Sequence, residues 1–225
     1  MDRRVSPKNL KPRLNLQSIE ESLRGVQNSF PSISQALGNS RECLDDEVIN
    51  NLMTGYTLVN QLLEANVELF AIGNSAFLLE LNTRVLCGTD EQQRREYHKH
   101  IVASNRYFYE RTDAGIQDLS DWYELHQHGT VWHRAAGIYI RILSEPQLFI
   151  EGNDRTGALV MSYLLAKEGH PPFVINEKNA KTYFQFSFQI KTLPRNSLFR
   201  LVRIPLLQTV IANFIKDQAN FNLLL

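Results

Sequence analysis

At 225 residues the chain is long enough to bury a complete core as one domain. Its 24 basic and 24 acidic side chains cancel, so no global field draws it toward nucleic acid or an anionic membrane, and nucleic acid is not an expected partner. Nothing resembles a signal peptide or a bilayer-spanning run, which leads to the expectation of a cytoplasmic protein, with Cys43 and Cys87 as buried thiols and not a disulfide or metal framework.

Residues 1–15 carry five basic side chains, one acidic one and two prolines without apolar periodicity, and read as a flexible basic arm. From residue 16 to 225 the helical period dominates and predicts a single all-α domain. "SIEESLRGVQNSF" opens with Ser18 and Glu21 at capping-box spacing, with Pro31 expected just past its end. "DDEVINNLMTGYTLVNQLLEAN" begins with acidic residues suited to a helix start and places Val48, Leu52, Leu58, Val59, Leu62 and Leu63 at spacings that favour one face. "FAIGNSAFLLELNTRVLCG" ends at Gly88, a left-handed cap, and "DEQQRREYHKHIVASNRYFYER" follows, charged first and aromatic later.

Two further helices, "AGIQDLSDWYELHQHG" and "TVWHRAAGIYIRILS", meet at a Gly129 break; the only strand-like piece is a short turn near "YFYERTDAG". Beyond the helix of residues 155–169, the prolines of "HPPFVI" enforce an extended stretch. "NEKNAKTYFQFSFQIK" and "SLFRLVRIPLLQTVIANFIKD" close the chain, the second with an expected interruption at Pro205.

Chemistry concentrates in "FIEGNDRTGA", residues 149–158. Gly152 permits a left-handed turn, Asn153 or Asp154 can cap a helix beginning near Arg155, and Gly169 can close it. Amides at such a helix start bind anions, and Arg155 adds charge and a forked donor set; ordinary capping accounts for the same residues. The helix itself is apolar nearly all round and belongs in the core.

This segment resembles the signature of the Fic family, His-Pro-Phe-x-Asp/Glu-Gly-Asn-Gly-Arg-x-x-Arg: Phe149, Glu151, Gly152, Asn153 and Arg155 match in register, and the resemblance covers about residues 70–216. It implies a Fic-like helical domain with at most a short β-hairpin flap. Family members typically move the AMP part of ATP to a hydroxyl of a target protein, the motif histidine acting as base. By that resemblance Glu151 would hold a magnesium ion, and Gly152, Asn153 and Arg155, with Asp154 among them, would line a phosphate cradle for ATP or another nucleotide; a target or regulatory protein would be the partner.

The pattern then breaks. Gln147 stands in the histidine position, and a primary amide does not titrate near neutrality, so a contribution of about 10²–10⁴-fold in rate is lost. Leu148 replaces the proline, and reading "EP" for "HP" through Glu145 would need two extra residues before Gly152. Asp154 stands where the family usually has glycine, a carboxylate that would repel phosphate unless a metal ion or Arg155 neutralised it, or that would cap an empty helix start. Ala158 replaces the second arginine.

Among the other histidines, His126, His128 and His133 read as loop residues, His98 and His100 as surface residues and His170 as structural. Nor is the family's inhibitory helix motif evident: Ser120 and Glu124 have its first spacing, but Leu125 spoils its last position. The reading is a nucleotide-binding or regulatory pseudoenzyme. Its rivals are a transferase with an atypical base and a helical interaction module using "NFNLLL" as a contact surface. Oligomeric state is left open.

Overall fold

The computed structural model describes residues 12–37, 44–192 and 199–225. Among them the regular structure is helical: α1 (Leu16–Leu37), α2 (Asp46–Glu64), α3 (Ser75–Cys87), α4 (Glu91–Glu96), α5 (His98–Glu110), α6 (Ile116–Leu125), α7 (Val131–Leu143), α8 (Asn153–Lys167), α9 (Ala180–Thr192) and α10 (Phe199–Asp217), then a closing 3-10 turn at Phe221–Leu223. No described helix is long and apolar enough to cross a membrane.

The domain is organised around α8, whose residues Thr156–Ala166 are all buried. It lies against α7, α2 and α3, while α10 packs on α7 and α1 bridges α2 and α9. The approach of α2 is close because Gly55 has no side chain: a Cβ there would stand 2.4 Å from Leu159. Polar tethers fix the rotation of α8, since Ser162 donates to Phe173 O at 2.7 Å and Tyr163 donates to Val67 O. Burial drives the phenols of Tyr56, Tyr139 and Tyr163 well above the ordinary tyrosine range, so they remain neutral donors.

Several boundaries differ from expectation. Asn15, not Ser18, caps α1, its Oδ1 accepting the Ser18 N–H at 3.2 Å. Pro31 lies inside α1 and Pro205 inside α10. In α1 the apolar stripe of Ile19, Leu23, Val26, Phe30 and Ile33 is buried across the proline, and that burial outweighs one missing intrahelical bond. The charged-then-aromatic segment splits at Tyr97: α4 buries nothing, whereas α5 turns Phe108 into the core. Among the described residues there is no hairpin; the expected flap is the end of α5 followed by a bend, and the one strand-like contact is an isolated bridge between Leu14 and Leu224.

Residues 1–11 of the expected arm, Cys43 and the 193–198 connection lie outside the described residues. The rest of the arm is seated, with the Leu14 N–H on Asn60 Oδ1 at 2.8 Å and Arg13 on Glu64 at 2.6 Å. The tail of residues 220–225 is folded too, Leu223 being buried beside it. Cys87 is a buried free thiol, and burial pushes its pKa up.

Candidate functional site

The sequence 147–155 forms a loop that turns into α8 at Gly152, whose φ of +75° is the left-handed conformation a side chain would resist. A Cβ at that position would also stand 2.9 Å from Asn82 Nδ2. The first intrahelical bond runs from Thr156 N to Gly152 O at 2.9 Å, so the Asn153, Asp154 and Arg155 amides form the first turn. No side chain caps this helix, which corrects the expectation for Asn153 and Asp154.

Asn153 instead turns back on the loop. Its Oδ1 accepts the Phe149 N–H at 2.9 Å, and its Nδ2 donates to Phe149 O at 2.8 Å and to Gln147 Oε1 at 2.9 Å. Position 147 therefore faces the helix start, with a neutral amide oxygen where the resemblance asks for an imidazole. From outside, Arg111 donates to Gln147 O at 3.0 Å. On the α3 side, Asn82 Nδ2 reaches Glu151 O at 2.8 Å, and Arg155 donates to Val85 O at 2.9 Å in the last turns of α3.

Asp154 points toward α9. Ser187 and Tyr139 donate to its Oδ1, Lys191 pairs with its Oδ2, and Tyr183 donates to its backbone O at 2.9 Å. The neutralising cation is thus Lys191, not Arg155, and the carboxylate is turned out of the helix start. Ala158 lies one turn further along the same face.

On the opposite flank α5 runs past the loop. Phe108 stacks on Phe149 with ring centroids 5.3 Å apart and planes at 7°. Two turns earlier His100 Nε2 stands 3.9 Å from Glu151 Oε2, a carboxylate whose side chain is 50% exposed. The His100 side chain is partly buried, and neither its Nε2 nor Ser104 Oγ, between the two, makes a hydrogen bond. Of the two histidines expected at the surface, His98 is exposed and His100 is partly buried.

Asn82, His100, Arg111 and Lys191 were not singled out from sequence as parts of this site. Their signals were an asparagine within the apolar run "LLELN" and two i, i+4, i+8 series, His100–Ser104–Phe108 and Tyr183–Ser187–Lys191. The remaining histidines sit elsewhere: His126 Nδ1 lies 2.7 Å from Trp122 O, His133 Nδ1 lies 2.9 Å from Thr130 Oγ1, His128 is exposed and His170 packs against Trp132. A cavity of about 700 Å³ opens between the 68–75 connection, α6 and the far end of α8, and none of residues 147–155 lines it.

The fold has a solved counterpart. A Fic domain containing signaling protein from Bacteroides thetaiotaomicron VPI-5482 superposes with a TM-score of 0.50 and 16% identity, over 95% of this chain and 90% of that one. The likeness is one of fold. No protein-family model matches the chain, and no curated protein matches it.

Does the loop suit a magnesium ion? Magnesium keeps most of its waters and needs only one or two carboxylates beside phosphate oxygens. Glu151 supplies one such carboxylate, and among the described residues no group of three His, Cys, Asp or Glu side chains forms a cage. The loop therefore fits an ion shared with a ligand, and the imidazole beside Glu151 adds a nitrogen donor for which magnesium has little use.

Proposed function

We propose that this chain is a Fic-like domain that binds a nucleotide polyphosphate at the start of α8 and does not transfer AMP. The carrying observation is the Gln147–Asn153 hydrogen bond: the base position is aimed at the helix start and filled by an amide, with no proton-accepting group. Three features support binding. Gly152 opens the turn, the first-turn amides at the positive end of the helix have no side-chain cap, and the Asp154 charge is neutralised by Lys191. Arg155 lies beside the helix start and donates to Val85 O. When bound, a cation on Glu151 would screen the phosphate charge.

In this reading ATP with a divalent ion raises the melting temperature, while labelled ATP leaves no label on the protein or on added protein hydroxyls. Label transfer that disappears on Glu151→Gln would make the chain a transferase with an atypical base. No shift with any nucleotide would leave the interaction module, for which the cavity beside α6 is the specific feature.

A further inference from the structure

The cavity between the 68–75 connection, α6 and the far end of α8 plays no part in the nucleotide reading, and its charge is unbalanced. Glu68, Asp121, Glu124 and Glu168 line it against Arg111 and Lys167. Lys167 pairs with Glu68 at 2.7 Å, Arg134 holds Glu168, and Arg111 is engaged by Asp113 and by Gln147 O. Among the described residues no cation pairs with Asp121 or Glu124, which stand exposed one turn apart on α6; Asp121 accepts only the Gln117 amide, at 2.6 Å. The apolar lining is largely aromatic: Phe70 stacks on Tyr123 with ring centroids 4.1 Å apart, and the exposed Tyr109 and Ile72 also face the space. Aromatic rings beside unneutralised carboxylates suit a guanidinium, which stacks on the one and bonds to the other.

A segment of matching charge adjoins it in the same chain. Residues 1–11 carry Arg3, Arg4, Lys8 and Lys11 against the single acid Asp2. The described chain enters the fold at Arg13, paired with Glu64 at 2.6 Å, and Leu14, whose N–H donates to Asn60. Glu64 ends α2, and Glu68 of the cavity lining follows four residues later, at most about 15 Å away along the chain. A segment the length of residues 1–11 spans up to about 36 Å, more than enough to reach. A ligand tethered at such a distance meets its site at an effective concentration of about millimolar, so exposed charge contacts too weak to hold a free peptide suffice. We propose that residues 1–11 dock in this cavity of their own chain, basic side chains against Asp121 and Glu124. None of residues 147–155 lines the cavity, so the proposal stands apart from nucleotide binding.

The test treats the untagged full chain, as a mixture of ¹⁵N-labelled and unlabelled protein at low salt, with a carbodiimide, which joins an amine to a carboxylate only where the two touch. Mass spectrometry should find Lys8 or Lys11 joined to Asp121, Glu124 or Glu68 within one chain, and 1 M salt, which screens charges beyond about 3 Å, should suppress the links severalfold. This readout needs no variant. A fluorescent peptide with the sequence of residues 1–12 should then bind the Arg3→Glu/Arg4→Glu protein at least about twofold more tightly than the wild type, whose own arm competes for the cavity. It should not bind Asp121→Lys/Glu124→Lys, which changes exposed positions and should leave the melting temperature in place. Links formed only between labelled and unlabelled chains would put the arm of a second copy in the cavity and overturn the proposal. So would links that avoid all three carboxylates, or equal peptide binding by the wild type and Arg3→Glu/Arg4→Glu. None of these outcomes bears on ATP binding.

Discussion

Two helices flank the 147–155 loop with the same spacing and opposite results. On α9, Tyr183, Ser187 and Lys191 recur every fourth residue, and all three bond to Asp154. On α5, His100, Ser104 and Phe108 recur every fourth residue; Phe108 stacks on Phe149 and the His100 ring meets Tyr97 edge-on, but His100 Nε2 and Ser104 Oγ make no hydrogen bond. A saturated polar face holds a loop in place, because each bond there offsets the desolvation of its own atoms. An unsatisfied face costs free energy in the ligand-free protein, as binding sites commonly do. The first flank is architecture, and the second keeps hydrogen-bonding capacity that the protein itself does not use.

The sharpest way to break this contrast is to remove the residue on which the loop's own bonds converge. Asn153→Ala leaves the Phe149 amide and carbonyl unpaired in a residue environment only 3% exposed, and should cost about 3 kcal/mol in chemical denaturation. On the saturated flank, Asp154→Ala strands Lys191, Ser187 and Tyr139 and should cost about 2 kcal/mol, moderated by the partial exposure of the ion pair.

A second saturated cluster on α3 sharpens the comparison by its pH dependence. Burial pushes the Glu80 carboxyl up, but hydrogen bonds from Arg94 and Arg84 outweigh it and hold the group below the ordinary glutamate range. The folded form thus releases its proton more readily than the unfolded one. Its stabilisation is present at neutral pH and is lost as the pH falls through the folded value. Glu80→Gln should cost about 1 kcal/mol at pH 7, and melts taken below the ordinary carboxylate range should show the difference vanish.

The smallest effect belongs to the unsatisfied flank. Ser104→Ala deletes a buried hydroxyl that bonds to nothing, so the melting temperature should hold or rise slightly. A loss as large as that of Asp154→Ala would mean that the two flanks do not differ.

The all-α architecture was legible because apolar periodicity survives even where a proline interrupts the backbone ladder, as burial across Pro31 shows. The same prolines misled the boundary assignments, since local propensity yields to a continuous buried stripe. Gly152 was legible as the turn into α8, because few residues other than glycine accept its φ. The partners of the loop were not. Asp154 looked like a cap or a phosphate-repelling charge, and only tertiary packing shows it turned to Lys191, 37 residues away. His100 was read as a surface residue because its neighbours are charged, yet the break at Tyr97 rotates α5 so that its ring meets Glu151.

The most direct measurement of the proposed function is amide hydrogen exchange across residues 149–156 with and without ATP and manganese. The account predicts slowed exchange confined to the first turn of α8 and the loop entering it. Unchanged exchange there, or protection appearing instead along residues 68–75 and 116–124 around the cavity, would contradict it.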